Sequence, residues 1–198
     1  MLRRIVAVAA ILAALSTITA GIAGAALIQV RVEGKTSTIF GPLEPQLDAT
    51  NAMEALQAAA TRDGFTVNVA DSSFGKYVDE VAGRKSGGAT GWVFKVNGVS
   101  PPVGADKVKL KDGDTVVWYF ATFGKSGGPK TLQLSAAEEG CYAVKALDDK
   151  GKATAPAGAV LRVDGRSVPV KAGVGCPGAH KGLVRAWAPG AVRSNALR

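Results

Sequence analysis

The chain has 198 residues, of which 20% are charged and 47% hydrophobic, and carries a formal net charge of +8. That composition excludes a wholly disordered chain and leaves room for one or two globular domains. One His and two Cys are too few ligands for a tetrahedral metal site, and His180 alone would have to serve any Ser-His-Asp triad, with no Gly-x-Ser-x-Gly elbow beside it. A non-enzymatic role is expected.

Arg3 and Arg4 precede an uncharged run over 5–30, and Ala23-Gly24-Ala25 supplies an A-x-A signature. The expectation is a signal peptide over 1–25, cleaved after Ala25, and a secreted or cell-surface protein. An uncleaved membrane anchor is the alternative, since the run is long enough to cross a hydrocarbon core of about 30 Å. Ser16, Thr17, Thr19, Gly21 and Gly24 weaken the second half of such a span.

Residues 27–32 alternate as a strand does, and Glu33-Gly34-Lys35 turns the chain into a second run over 36–40, an opening hairpin. Pro42 and Pro45 break it. A helix follows: Thr50 or Asn51 caps it, Glu54 lies three residues after Asn51, Met53, Leu56 and Ala60 share a face, and Gly64 stops it. Residues 65–69 alternate again, and 71–81 read as irregular, with Phe74 and Tyr77 either pinning the segment to the sheet or offering a binding surface.

The next two strands hold two of the three Trp. Trp92, Phe94 and Val96 share one face with Val93 and Lys95 opposite, and Asn97-Gly98 makes a tight turn. After Asp112-Gly113-Asp114, Val116, Trp118 and Phe120 share a face with Val117 and Tyr119 opposite. One of these faces must meet the helix. The expected fold class is a β-grasp-like α+β domain, a mixed or antiparallel sheet with one helix across it, over 26–123.

Residues 124–130 read as a linker. Their Gly-Lys-Ser imitates the end of a phosphate-binding loop, but Tyr119 stands where that motif needs Gly, and Gly127-Gly128-Pro129 forbids the following helix. Short strands at even spacing then fill 131–198, at 131–135, 142–147, 160–163, 168–170 and 183–188, the pattern of a small all-β Ig-like sandwich. Residues 130–198 hold eleven Lys/Arg against five Asp/Glu, whereas 26–129 hold eleven of each. The excess suits an anionic cell-wall polymer better than nucleic acid, with simple solubility as the competing explanation. Cys141 and Cys176 both fall here, and an oxidising compartment favours their pairing.

The order Ala-Met-Glu-Ala-Leu, Ser-Phe-Gly-x-Tyr-Val, Gly-Trp-x-x-x-Val-Asn-Gly and Leu-x-Asp-Gly-Asp-x-Val-x-Trp-Tyr resembles the domain of unknown function DUF4430, over about 27–123. That domain is similar to the C-terminal β domain of transcobalamin and intrinsic factor. The resemblance implies an exported or surface β-grasp-like module with cobalamin or a related corrinoid as a candidate ligand and no required cofactor. The α/α barrel with which transcobalamin-like binders close on the corrinoid has no counterpart in these residues. Similarly, Ala-Val-x-Ala-x-Asp-x-x-Gly-Lys and Val-Arg-Ala-Trp-Ala-Pro-Gly-x-Val-Arg-Ser resemble the carboxypeptidase-regulatory or invasin-type modules of surface proteins. Their implied role is spacing or presentation.

The candidate ligand-binding residues are Phe74, Tyr77, Trp92, Asn97 and Tyr119, with the surface expected at loops 72–77 and 97–102. A small molecule or a surface protein is the expected partner. A structural or adhesive module that binds cell-wall polymer is the second reading.

Overall fold

The computed structural model describes residues 24–198 apart from 73, 74 and 126. The expected signal peptide and Phe74 therefore lie outside the described residues, apart from the last two residues of that peptide. The final five residues of the uncharged run are already part of the first strand, and no helix among the described residues is long and apolar enough to cross a membrane.

The first half runs β1 (Ala26–Glu33), β2 (Thr38–Phe40), β3 (Gln46–Ala49), α1 (Ala52–Asp63), β4 (Val67–Ser72), β5 (Gly75–Val81), β6 (Arg84–Lys85), β7 (Thr90–Val96) and β8 (Thr115–Thr122). Its main sheet has the order β2-β1-β8-β7, with β3 sharing the β2 edge of β1. β1 and β8 are parallel and the other pairs antiparallel, so the sheet is mixed. A second, three-stranded sheet has the order β4-β5-β6. The stretch read as irregular is thus a hairpin. A register shift between Asn68 and Val69, and burial in β5 only at Val78 and Val81, hide its period of two.

The helix starts where its sequence requires. The Asn51 side chain accepts from the Glu54 N–H at 3.0 Å, and Thr50 donates its own N–H to the Glu54 carboxylate at 2.9 Å, so orphan donors are satisfied in both directions. Gly64 ends it at φ +73°, a left-handed conformation that glycine adopts without a Cβ penalty. Ala52, Met53, Ala55, Leu56 and Ala59 are buried, while Ala60 sits at the margin of that face. They pack on Ile28, Val30, Val32, Val116 and Trp118 of the sheet. The Trp118 indole N–H donates to the Ala52 carbonyl at 2.9 Å, which satisfies its one polar atom in the core.

The second half runs β9 (Thr131–Ala136), β10 (Tyr142–Leu147), β11 (Ala153–Thr154), β12 (Val160–Val163), β13 (Arg166–Pro169), β14 (Val174–Gly175), β15 (Val184–Trp187) and β16 (Ala196–Leu197). β9, β11 and β14 surround β10 in one sheet, and the other has the order β13-β12-β15-β16. Leu132, Leu134, Val144, Leu161, Val163 and Val184 fill the core between them. Cys141 and Cys176 form a disulfide next to the Tyr142–Gly175 pair of β10 and β14. Closing a loop of that length contributes about 4 kcal/mol through the unfolded chain. The protein is therefore mostly β, a sandwich-like α+β fold with a single α-helix among the described residues.

The two halves meet on the face of the main sheet opposite the helix. Val93, Val117, Tyr119 and Ala121 point that way, and Val192 packs against them. Gly98 follows Asn97 in a turn with both φ values positive, which favours glycine, and a Cβ on it would push aside the end of the Leu147 side chain 2.6 Å away. Lys95, 1% exposed, crosses the junction and donates to the carbonyls of Leu147 at 3.0 Å and Asp148 at 2.8 Å.

At the other end of the junction the Glu33 carboxylate is fully buried. Arg185 and Arg193 from the second half each reach it at 2.6 Å, and Arg31 from its own strand at 3.1 Å. Thr38 donates to it as well. Burial disfavours the charged carboxylate, but the three guanidiniums overcome that cost and hold Glu33 below its ordinary value of 4.5. Its contribution to stability is present above pH about 4.5 and is lost as pH falls from there through the lowered folded value. Glu33→Gln leaves three arginines facing a neutral amide. Urea denaturation at neutral pH should show a loss of about 3 kcal/mol, and the variant should lose the acid-dependent component seen in the parent.

Candidate functional site

β7 is the free edge of the main sheet, and a cleft of about 340 Å³ opens along it. One wall is β5 at Lys76, Tyr77 and Val78; another is the segment after the Asn97-Gly98 turn, at Ser100, Pro101, Gly104 and Ala105. The two loops expected to carry binding thus converge on one space, although Phe74 lies outside the described residues. The floor combines both faces of the sheet edge, Trp92, Phe94 and Trp118 from the helix side and Val93 and Tyr119 from the junction side.

The aromatic groups have distinct roles. Trp92 is 6% exposed and donates its indole N–H to the Arg84 carbonyl at 2.8 Å, which fixes the ring as a wall of the cleft and of the core at once. Phe94 stacks on Trp118 with centroids 4.9 Å apart. Tyr77 is 45% exposed and Phe123 42% exposed, so these two rings are the accessible ones.

The polar end of the cleft comes from the second half. Asp149 accepts from the Ser100 hydroxyl at 3.1 Å and lies 3.6 Å from the Lys95 ammonium, yet its side chain remains 52% exposed. Tyr119 is 1% exposed; burial first and the nearby Asp149 second push its phenol up to about 12, against the opposing contact of Ser100. For Lys95, burial pushes the ammonium down from 10.5, and the attraction of Asp149 only partly opposes this.

Of the candidates read from the sequence, Tyr77, Trp92 and Tyr119 line the cleft and Asn97 does not. Asn97 is a clamp between turns: its amide donates to Asp114 at 2.7 Å and its carbonyl accepts from the Thr115 N–H at 2.9 Å. Asp112 similarly accepts from the Leu27 N–H at 2.8 Å. Ser100 falls within the expected 97–102 loop, whereas Phe94, Phe123 and Asp149 lie outside the expected residues and loops. Phe94 is an aromatic of β7 and Phe123 directly follows β8, but nothing local marks Asp149, which reaches the cleft only through the docking of the two halves.

His180 hydrogen-bonds Tyr142 Oη at 2.6 Å through Nε2 and the Gly182 carbonyl at 2.9 Å through Nδ1, both within the second half and outside the cleft. No group of three or more His, Cys, Asp or Glu side chains among the described residues is placed to hold a metal ion.

Residues 49–122 match a family model described as a domain of unknown function, DUF4430. The match begins just before α1 and ends with β8, so it includes the β5 and β7 walls but not Phe123 or Asp149. No curated protein matches the chain. Among solved structures, one described as a candidate metal-binding protein from Ruminococcus gnavus ATCC 29149 is similar at 17% identity and a TM-score of 0.37, covering 48% of this chain and 95% of that one.

The buried phenol has a titration consequence. Because folding raises the Tyr119 value from 10 to about 12, its stabilising effect is complete below pH 10 and is lost between pH 10 and about 12. Urea midpoints across that range should fall more steeply for the parent than for Tyr119→Phe, with a difference of about 2 kcal/mol at the alkaline end.

Proposed function

We propose that the protein is an exported, non-catalytic binding protein whose first half, a β-grasp-like domain over 26–123 similar to the transcobalamin C-terminal domain, holds a ligand in the cleft beside β7. The observation that carries this is the convergence of exposed rings, Tyr77 and Phe123, on a space walled by Trp92 and Phe94. A cavity of this size and lining is of the kind that takes a small ligand, apolar for most of its surface and oriented by a few polar groups. The second half, an Ig-like sandwich over 131–198, backs the sheet and contributes Asp149.

A corrinoid is the ligand class suggested by the domain resemblance, and it is larger than this space. The cleft would therefore grip one edge of such a molecule and leave the rest to a second protein. Adhesion to an anionic wall polymer is less favoured, because Arg185 and Arg193 are committed to Glu33 and their charge is not free at the surface.

Tryptophan fluorescence titrated with cobalamin, cobinamide and small ring compounds tests the reading. Binding in the cleft should quench or shift the Trp92 signal, and Tyr77→Ala should weaken it several-fold while leaving the denaturation midpoint unchanged. No response to any of these ligands up to high micromolar concentration would overturn it.

A further inference from the structure

Two backbone contacts fix how β7 sits on β8. The Asn97 N–H donates to the Thr115 carbonyl at 2.9 Å and the Phe123 N–H to the Ala89 carbonyl at 2.7 Å. In an antiparallel ladder the groups alternate, so odd-numbered residues of β7 face β8, and Thr90, Trp92, Phe94 and Val96 turn their N–H and C=O to the free edge. Most of that edge is covered. Thr90 exchanges two hydrogen bonds with Gly87 at 3.0 Å each, the Trp92 N–H reaches the Ser86 hydroxyl at 3.4 Å, and Val96 exchanges two bonds with Val99 at 2.9 and 3.0 Å. Among the described residues only Phe94 has neither group paired, and Phe94 lies on the floor of the cleft.

The uncovered groups are therefore the N–H and C=O of Phe94 and the neighbouring Trp92 carbonyl, bounded by the Ser86 hydroxyl on one side and Val99 on the other. A group opposite Phe94 must accept from its N–H and donate to its C=O at strand spacing, which is what the C=O and N–H of one residue in an extended chain do. Side-chain placement follows from the same pairing. A residue opposite Phe94 would put its side chain on the Phe94 face, toward Trp92, Tyr77 and Met53, all apolar cleft walls. Its chain neighbours would point to the other face, toward the half-exposed Asp149 carboxylate.

We propose, building on the cleft as the binding site, that its ligand is a short extended peptide that adds one residue to the β7 edge at Phe94, with an apolar side chain in the aromatic pocket and an adjacent basic one at Asp149. Charge complementarity selects the basic neighbour. Recognition is thus divided between backbone pairing, which gives orientation, and two side-chain positions, which give selectivity.

The test uses the blocked tripeptide N-acetyl-Lys-Phe-Lys-N-methylamide and the same probe with the Phe amide nitrogen methylated, titrated into the full nitrogen-15-labelled chain. The parent probe should shift the Phe94 amide resonance and slow its hydrogen exchange, and methylation should cost about tenfold in affinity, as expected for a lost hydrogen bond in a closed site. Asp149→Asn should weaken the parent probe and leave a Leu-Phe-Leu analogue unaffected. If both Phe probes bind alike, or the Phe94 amide does not respond, backbone pairing is overturned while the cleft remains the binding site. If neither probe binds, the peptide assignment is overturned, and the cleft itself stands or falls on the ring-compound titration.

Discussion

Glu33 is a carboxylate with no access to water, at the end of the first strand, and it is held by two arginines that lie about 150 residues further along the chain. Buried there without Arg185 and Arg193 it would keep only Arg31 and Thr38 as partners, and loss of either arginine is strongly destabilising. The second half supplies the compensation, and its docking is therefore fixed in orientation rather than merely in proximity. Arg193 adds a bond to the Gly34 carbonyl at 2.9 Å and Arg185 one to the Ser194 carbonyl at 3.0 Å, so the guanidiniums are tied to backbone on both sides. Directional bonds of this kind set register in a way that apolar contact does not.

Lys95 acts at the opposite end of the same face. Its ammonium reaches two carbonyls at the end of β10 and the turn after it, which brings the 148–151 turn against the 97–100 segment. Ser100 N–H donates to the Asp149 carbonyl at 2.9 Å in the same place. Asp149 enters the cleft because of these bonds, and not because of anything in its own neighbourhood. The 124–130 connection is itself tied at its ends, with Val192 N–H on the Lys130 carbonyl at 2.9 Å and Gly128 against the Phe123 ring. The two halves thus share one polar lock at each end of an apolar strip.

Sequence periodicity revealed the helix, its caps, and both faces of β7 and β8, because each rests on local chemistry: Asn51 and Glu54 for the cap, alternation of aromatics for the strands. It also anticipated β10 and β12 to the residue. What it could not separate was a wet strand face from a covered one. Gln29, Arg31 and Glu33 alternate with apolar residues as a solvated face does, yet Arg31 and Glu33 are buried by partners far away in the chain. Asn97 illustrates the converse error. A polar residue in a turn next to aromatics invites a binding role, but its side chain is consumed by Asp114 and Thr115. The strands β6, β11, β14 and β16 escaped because two residues carry too little pattern, and β3 because it follows directly on Pro45.

An edge strand is a hazard that folded proteins cover, and β7 shows how completely this is done when covering is the aim. Among the described residues a hydroxyl, a two-residue turn and the chain entering the strand account for every outward group except the Trp92 carbonyl and the two groups of Phe94. Continuing the Val96–Val99 register along the edge would bring Pro101 opposite Phe94, and proline has no N–H to donate there. Instead the chain turns away at Ser100 and Pro101, and those residues become a wall of the cleft. Trp92 and Phe94 are anchored by the core through Arg84 and Trp118, so the uncovered position is held in a fixed geometry and needs no rearrangement to be used. A short opening centred on Phe94, kept rigid by the two rings beside it and flanked by a carboxylate placed there by the second half, is what distinguishes this edge from an unprotected one.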